Sequence, residues 1–122
     1  MKKFNDFRDM SVWQKAFKLL LVVYEITKRF PVEEKFALTD DLRRSANSVV
    51  HNIAEGYGRF ESKDKTRFYK ISRGSSFEAI SQILVAEAQN YISFIESEEI
   101  VTGYKDVIEE LNALIFSIEK QK

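Results

Sequence analysis

The sequence predicts an all-α protein, an up-down-up-down antiparallel four-helix bundle with a long third helix, as one domain over residues 1–122. Three observations carry this. Only four glycines and one proline interrupt 122 residues, so the chain has few places to turn. Apolar residues recur at spacings of three and four rather than two, the helical period. The breaks between the periodic segments are short, which favours antiparallel neighbours. With 44% apolar and 13% aromatic residues, a chain of this length can bury very roughly two-thirds of its unfolded surface in one core.

The first helix is expected from Ser11, where Ser11 to Gln14 reads as a capping box, to Arg29, just before Phe30 and Pro31. Val32 to Leu38 reads as an irregular turn. The second runs over about 39–55, with Thr39 as N-cap, Asp40 and Asp41 in its first turn and Gly56 as a left-handed stop. Its core stripe is Leu42, Ala46, Val49 and Ile53, widened by Val50 and Ala54. The third opens at Ser62 and meets no strong stop until about Ile95, roughly 34 residues or about 50 Å. The fourth, capped by Ser97 or Thr102, carries Ile100, Tyr104, Val107, Ile108, Leu111, Leu114, Ile115 and Ile118 as one stripe.

Helix three carries two apolar stripes. Phe68, Ile71, Ser75, Ala79, Ile83 and Ala86 form one; Phe77, Ile80, Leu84, Ala88, Tyr91 and Ile95 form the other. Both cannot face one core. Either this helix lies between two neighbours within the bundle, or the second stripe is a subunit interface built from Phe77, Leu84 and Tyr91 with Trp13, Phe17 and Tyr24 of helix one.

Composition narrows the function classes. The absence of cysteine excludes disulfide scaffolds, cysteine nucleophiles and thiolate metal sites, and one histidine argues against a histidine-rich metal centre. The charges in Met1 to Met10 interrupt any apolar leader core, and the apolar run Leu19 to Tyr24 is far too short to span a bilayer. A cytoplasmic domain without membrane contact is expected. The 19 basic and 19 acidic residues cancel, but unevenly: residues 1–42, 43–73 and 74–122 sum to +1, +5 and −6.

The fragments VWQKA, LTDDLRRSA, NIAEGYGR and GSSFE, at Val12, Leu38, Asn52 and Gly74, closely resemble the 23S rRNA intervening-sequence proteins, bacterial four-helix bundles once labelled S23 ribosomal proteins. Asp41 and Ser45 depart from that pattern, which has glutamine and commonly alanine there. The resemblance implies a homopentamer, and a relationship to the strongly basic accessory protein of diversity-generating retroelements, which works with nucleic acid. It implies no assigned reaction.

Several side chains are candidates for these roles. Arg59, Lys63, Arg67, Lys70 and Arg73 in the +5 block, with Tyr57, Phe60 and Tyr69 for stacking, could contact RNA, DNA or a nucleoprotein; a solvated face or a contact to another subunit's acidic block is the plain alternative. His51 and Glu55, one turn apart, form either a surface pair or an acid–base or metal pair. Asn52 and Glu55 suit capping of the helix end and the 56–61 loop, and Glu78 suits a salt bridge to Arg43 or Arg44, with a ligand contact as the alternative. No nucleophile, base and orienting acid assemble in the sequence, so an enzyme is not expected, nor is a cofactor. The reading is a homo-oligomeric scaffold or interaction protein, the alternative an oligomer binding a small ligand in a central channel or at subunit seams.

Overall fold

The computed structural model describes residues 6–121, so the first half of the N-terminal run considered above lies outside the described residues. Four helices carry the fold: α1 (Ser11–Thr27), α2 (Leu38–Gly58), α3 (Ser62–Ala88) and α4 (Phe94–Glu119), with single 3-10 turns at Phe7–Asp9 and Val32–Glu34. Among the described residues there is no strand, and no helix is long and apolar enough to cross a membrane.

The helix ends differ from the expected ones for identifiable reasons. The capping box at Ser11 is not made: Met10, itself buried, holds the N-cap position, and the Gln14 amide turns back to the Arg8 carbonyl at 2.7 Å. Helix α1 stops at Thr27, whose hydroxyl donates to the Val23 carbonyl. Helix α2 begins one residue earlier than expected, with the Leu38 amide donating to the Glu34 carboxylate, so Thr39 lies inside the first turn, buried, rather than capping it.

Gly56 does not end α2 either. The helix runs on to Gly58, and no glycine has a positive φ. Its role is close approach: a Cβ on Gly56 would lie 2.6 Å from Tyr69 Cε1. Helix α3 is 27 residues, about 40 Å, because Asn90 takes the left-handed conformation (φ 64°). The amide of Tyr91 then reaches the Ala86 carbonyl, and that of Asn90 the Glu87 carbonyl, the Schellman arrangement. Helix α4 therefore starts before Ser97 and Thr102, at a capping box formed by Ser93 and Glu96.

Side-chain pairs fix how the helices meet. Tyr24 and Thr27 of α1 bond Asn47 and Arg43 of α2. Ser48 and Val49 of α2 meet Ser75 and Ser72 of α3; Lys70 and Arg73 of α3 meet Glu119 and Asn112 of α4. Lys15 of α1 and Arg29, two residues past its end, meet Asp106 and Glu96 of α4. In every pairing the numbers rise on one helix as they fall on the other. Helices α1 and α3 are diagonal and do not pair.

The core-facing line of α3 is also a correction. Ala79, Ile83 and Ala86 are buried as expected, but in the first half Tyr69, Ser72 and Ser76 replace Phe68, Ile71 and Ser75. The Ser72 hydroxyl donates to the Val49 carbonyl at 2.8 Å and that of Ser76 to the Ser72 carbonyl at 3.0 Å, so these serines satisfy themselves on backbone while leaving room for α2. An aromatic at those positions would hold the helices apart.

The α4 cap makes a pH prediction. Glu96 accepts from the Ser93 amide at 2.9 Å and pairs with Arg29, and these contacts, the Ser93 amide foremost, hold its carboxyl below the usual range. A lowered carboxyl stabilises the fold fully above its unfolded pKa and loses that contribution as pH falls through the folded value. Glu96→Gln is therefore expected to melt at a lower temperature than the parent at neutral pH, with the gap closing in acid. A gap constant across thermal melts from neutral to strongly acidic pH would show that the charge contributes nothing.

Candidate functional site

Three of the polar candidates, Arg44, Asn52 and Glu78, gather on the seam between α2 and α3. Arg44 and Glu78 line a recess of about 170 Å³ there, together with Asp41, Ser45, Ser48 and Ser75. Its floor is the 2.7 Å bond between the Ser48 and Ser75 hydroxyls, braced by the Asn52 amide, which donates to Ser48 Oγ and to the Ser48 carbonyl. Asn52 thus holds the seam rather than the 56–61 loop. The expected bridge from Glu78 is not formed. Arg44 turns along its own helix to Asp40 and Asp41, at 2.6 and 3.1 Å, while the Arg43 Nε donates to the Thr27 hydroxyl at 2.8 Å with its guanidinium over the Tyr24 ring.

Glu55 pairs with Arg59 at 2.6 Å on the exposed face, so the capping role expected of Glu55 and its pairing with His51 are both absent. Among the described residues no three His, Asp or Glu side chains could hold a metal.

The basic residues do not form one free patch. Arg59 and Arg67 both lie over the Phe68 ring, at 4.7 and 4.3 Å, and Arg67 also meets Asp64. Lys70 and Arg73 are turned towards α4, bonded to Glu119 and Asn112. Lys63 is exposed at the start of α3. Lys65 turns inward to the carbonyls of Gly56 and Tyr57, where burial lowers its pKa. It is the cation at the C-terminal end of α2 that the sequence did not reveal. Of the aromatics expected to stack on bases, Phe60 is exposed, Tyr57 lies beneath Lys65, and Tyr69 is buried against Gly56. Burial pushes the Tyr69 hydroxyl up to about 12.

Two apolar lines remain on the surface. Trp13, Phe17 and Tyr24 run along the edge of α1 that borders α2, with Trp13 stacked on Phe17 at 4.8 Å and Tyr24 bonded to Asn47. Phe77, 57% exposed, and Leu84, 49% exposed, continue the line of Arg73 along the edge of α3 that borders α4. On α4, Phe94 and Phe116 share the face of Asn112 and extend that strip. The two lines lie on opposite sides of the bundle, not on one patch. Tyr91 belongs to neither: its hydroxyl donates to Glu34 at 2.8 Å and its ring packs on Phe30, tying the two turns at that end together.

Residues 8–113 match the model of the 23S rRNA-intervening sequence protein family. The chain belongs to that family. A search among curated proteins gives no match. The fold is similar to a crystal structure of a protein with unknown function from the S23 ribosomal protein family of Bacteroides thetaiotaomicron VPI-5482, with 20% identity, a TM-score of 0.79, and coverage of 85% of this chain and 97% of that one.

In this intervening-sequence protein the distinctive fragments fall largely on the α2–α3 seam. The stretch NIAEGYGR supplies Asn52, which braces Ser48, and Gly56 beneath Tyr69, while LRRSA and GSSFE supply most of the recess. Sequence reasoning missed Ser48 and Ser75 as a bonded pair, and missed Phe94 and Phe116. The serines carry no periodic signal. The two phenylalanines lie outside the stripe that marks the core face of α4, which is itself the signal that could have found them.

Proposed function

We propose that this intervening-sequence protein is a non-enzymatic, cytoplasmic scaffold: an up-down-up-down antiparallel bundle whose protomers join head to tail into a closed homo-oligomer, a pentamer on the resemblance to its family. The opposite placement of the two apolar lines carries this reading. One patch that meets itself makes a two-fold dimer, whereas two different patches on opposite sides pair heterologously and close into a ring or run on as a filament. Exposed aromatic side chains in such lines suit burial between subunits. Light scattering at micromolar concentration is expected to give several protomer masses, about 72 kDa for five copies of the 14.3 kDa chain. A monomer overturns the reading.

The nucleic-acid part of the proposal rests on the +5 block. Its ion pairs are exposed, hence weak, and phosphates can compete for them. A ring repeats the block around an axis, so weak contacts add. The triple variant Lys63→Gln, Arg67→Gln, Lys70→Gln is expected to weaken binding to RNA and single-stranded DNA of any sequence and to flatten its salt dependence, with oligomer mass unchanged. No mobility shift of either by the parent protein at low salt overturns this part.

A further inference from the structure

We propose that a hollow at the α1–α2 turn binds a small phosphate-bearing molecule through Arg43, Lys35, Lys28 and the hydroxyl of Thr39. The hollow measures about 290 Å³ and its lining contains three basic side chains and no carboxylate. It lies apart from the α2–α3 recess and shares none of Arg59, Lys63, Arg67, Lys70 and Arg73.

Thr39 is the observation that points to a ligand. Its residue is only 8% exposed, it lines this hollow, and its hydroxyl has no hydrogen-bond partner among the described residues. Yet that oxygen is not sealed in the core, so the hollow is where its hydrogen-bonding capacity is directed. Facing the hollow, that hydroxyl is free to hydrogen-bond whatever occupies it, water or a ligand oxygen.

Arg43 is built to meet an anion beside it. Its Nε is held by the Thr27 hydroxyl at 2.8 Å, and that hydroxyl is itself anchored on the Val23 carbonyl at 2.7 Å. The guanidinium plane lies over Tyr24, its carbon 4.9 Å from the ring centroid. Both terminal nitrogens are left without an acceptor among the described residues. A guanidinium fixed in this way presents two parallel donors at little further entropic cost, which suits the oxygens of a phosphate. Lys35, from the turn, has its ammonium 5.4 Å from the Phe36 ring centroid, and Lys28 pairs with Glu25 on the exposed surface.

Donors from three stretches of chain, the end of α1, the turn and α2, suit a phosphate group, whose oxygens accept on several sides, better than a planar carboxylate. At the small end of ligand-pocket sizes, the hollow holds a phosphate with a compact substituent. Pro31 and Val32 wall one side.

The test is calorimetric titration of the intact protein with inorganic phosphate and with phenyl phosphate at neutral pH, in chloride buffers of matched ionic strength. Saturable binding is expected. Lys35→Gln and Thr39→Val should each weaken it severalfold and together more than tenfold, whereas Thr39→Ser should retain it. Arg43→Lys keeps the charge but loses the fork and should weaken binding by about tenfold. Circular dichroism and light scattering establish that each variant keeps its fold and mass; should Arg43→Lys fail to fold, the exposed Lys35→Gln decides alone. Absence of saturable binding overturns the proposal, as does binding indifferent to Lys35→Gln and Thr39→Val. So does a mixed-sequence RNA that binds through these side chains while inorganic phosphate does not.

Discussion

A mixture of Phe17→Glu and Phe77→Glu proteins is expected to form a species of two protomers, although neither variant alone assembles. Each substitution spoils one of the two apolar lines, Phe17 on the α1 edge and Phe77 on the α3 edge, and both side chains are exposed, so helicity should be unchanged. In a head-to-tail assembly every contact uses one line of each kind. A pure variant therefore buries an unpaired carboxylate at each of its contacts, which is strongly unfavourable. In the mixture the intact α3–α4 line of the Phe17→Glu protein meets the intact α1–α2 line of the Phe77→Glu protein. No good line then remains exposed, and growth stops at two. Light scattering or native mass spectrometry reads the result. If either variant alone keeps the full parent mass, one line suffices and the contact is a two-fold one.

Gly56→Ala is expected to destabilise the parent protein by up to about 2 kcal/mol and to become neutral or stabilising when Tyr69 is Leu. An added methyl at Gly56 meets three ring atoms of Tyr69 at 2.6 to 3.0 Å, and that ring, 3% exposed, cannot swing into solvent. Overpacking of this kind costs roughly 1–3 kcal/mol. Against it stands the helix preference of alanine over glycine, about 1 kcal/mol in a helix interior. With Leu at position 69 the steric cost falls away and the preference is left. A double-mutant cycle by urea denaturation measures the sign change. If Gly56→Ala stabilises both backgrounds, the close approach of the Tyr69 ring is not what glycine serves there.

The helices were legible because their apolar period is strong: the stripes of α2 and α4 face the core as read, with Ala54, Leu114 and Ile118 half-buried at their margins. Their ends were less so. Asn90 carries the left-handed turn that a glycine would announce, so α3 read too long and the cap at Ser93 was passed over. Gly56 was read by its commonest role, a helix stop, when its use is tertiary and depends on a tyrosine 13 positions away. The core line of α3 misread for a related reason: buried serines that bond backbone look polar in a pattern, and Phe68, which serves as a platform for two arginines, looks like core. Charge signs along the chain were plain. Which charges find partners, as Lys70 finds Glu119 and Arg73 finds Asn112, depends on helix register, and no local signal carries that.

Three of the four seams join helices that follow one another along the polypeptide, and only the α1–α4 seam closes the chain on itself. Lys15, Leu19 and Arg29 meet Asp106, Gly103 and Glu96 there, and Met10 to Val12 share a cleft with Ala113 and Leu114. Connections between sequence neighbours are entropically cheap and quick to form, so the closing seam is the slow one topologically. The same proximity means that a short peptide bridging the two ends, with a cut made at any of the three existing turns, would leave every seam in place. The bundle is a cycle of four contacts, α1 with α2, α2 with α3, α3 with α4 and α4 with α1.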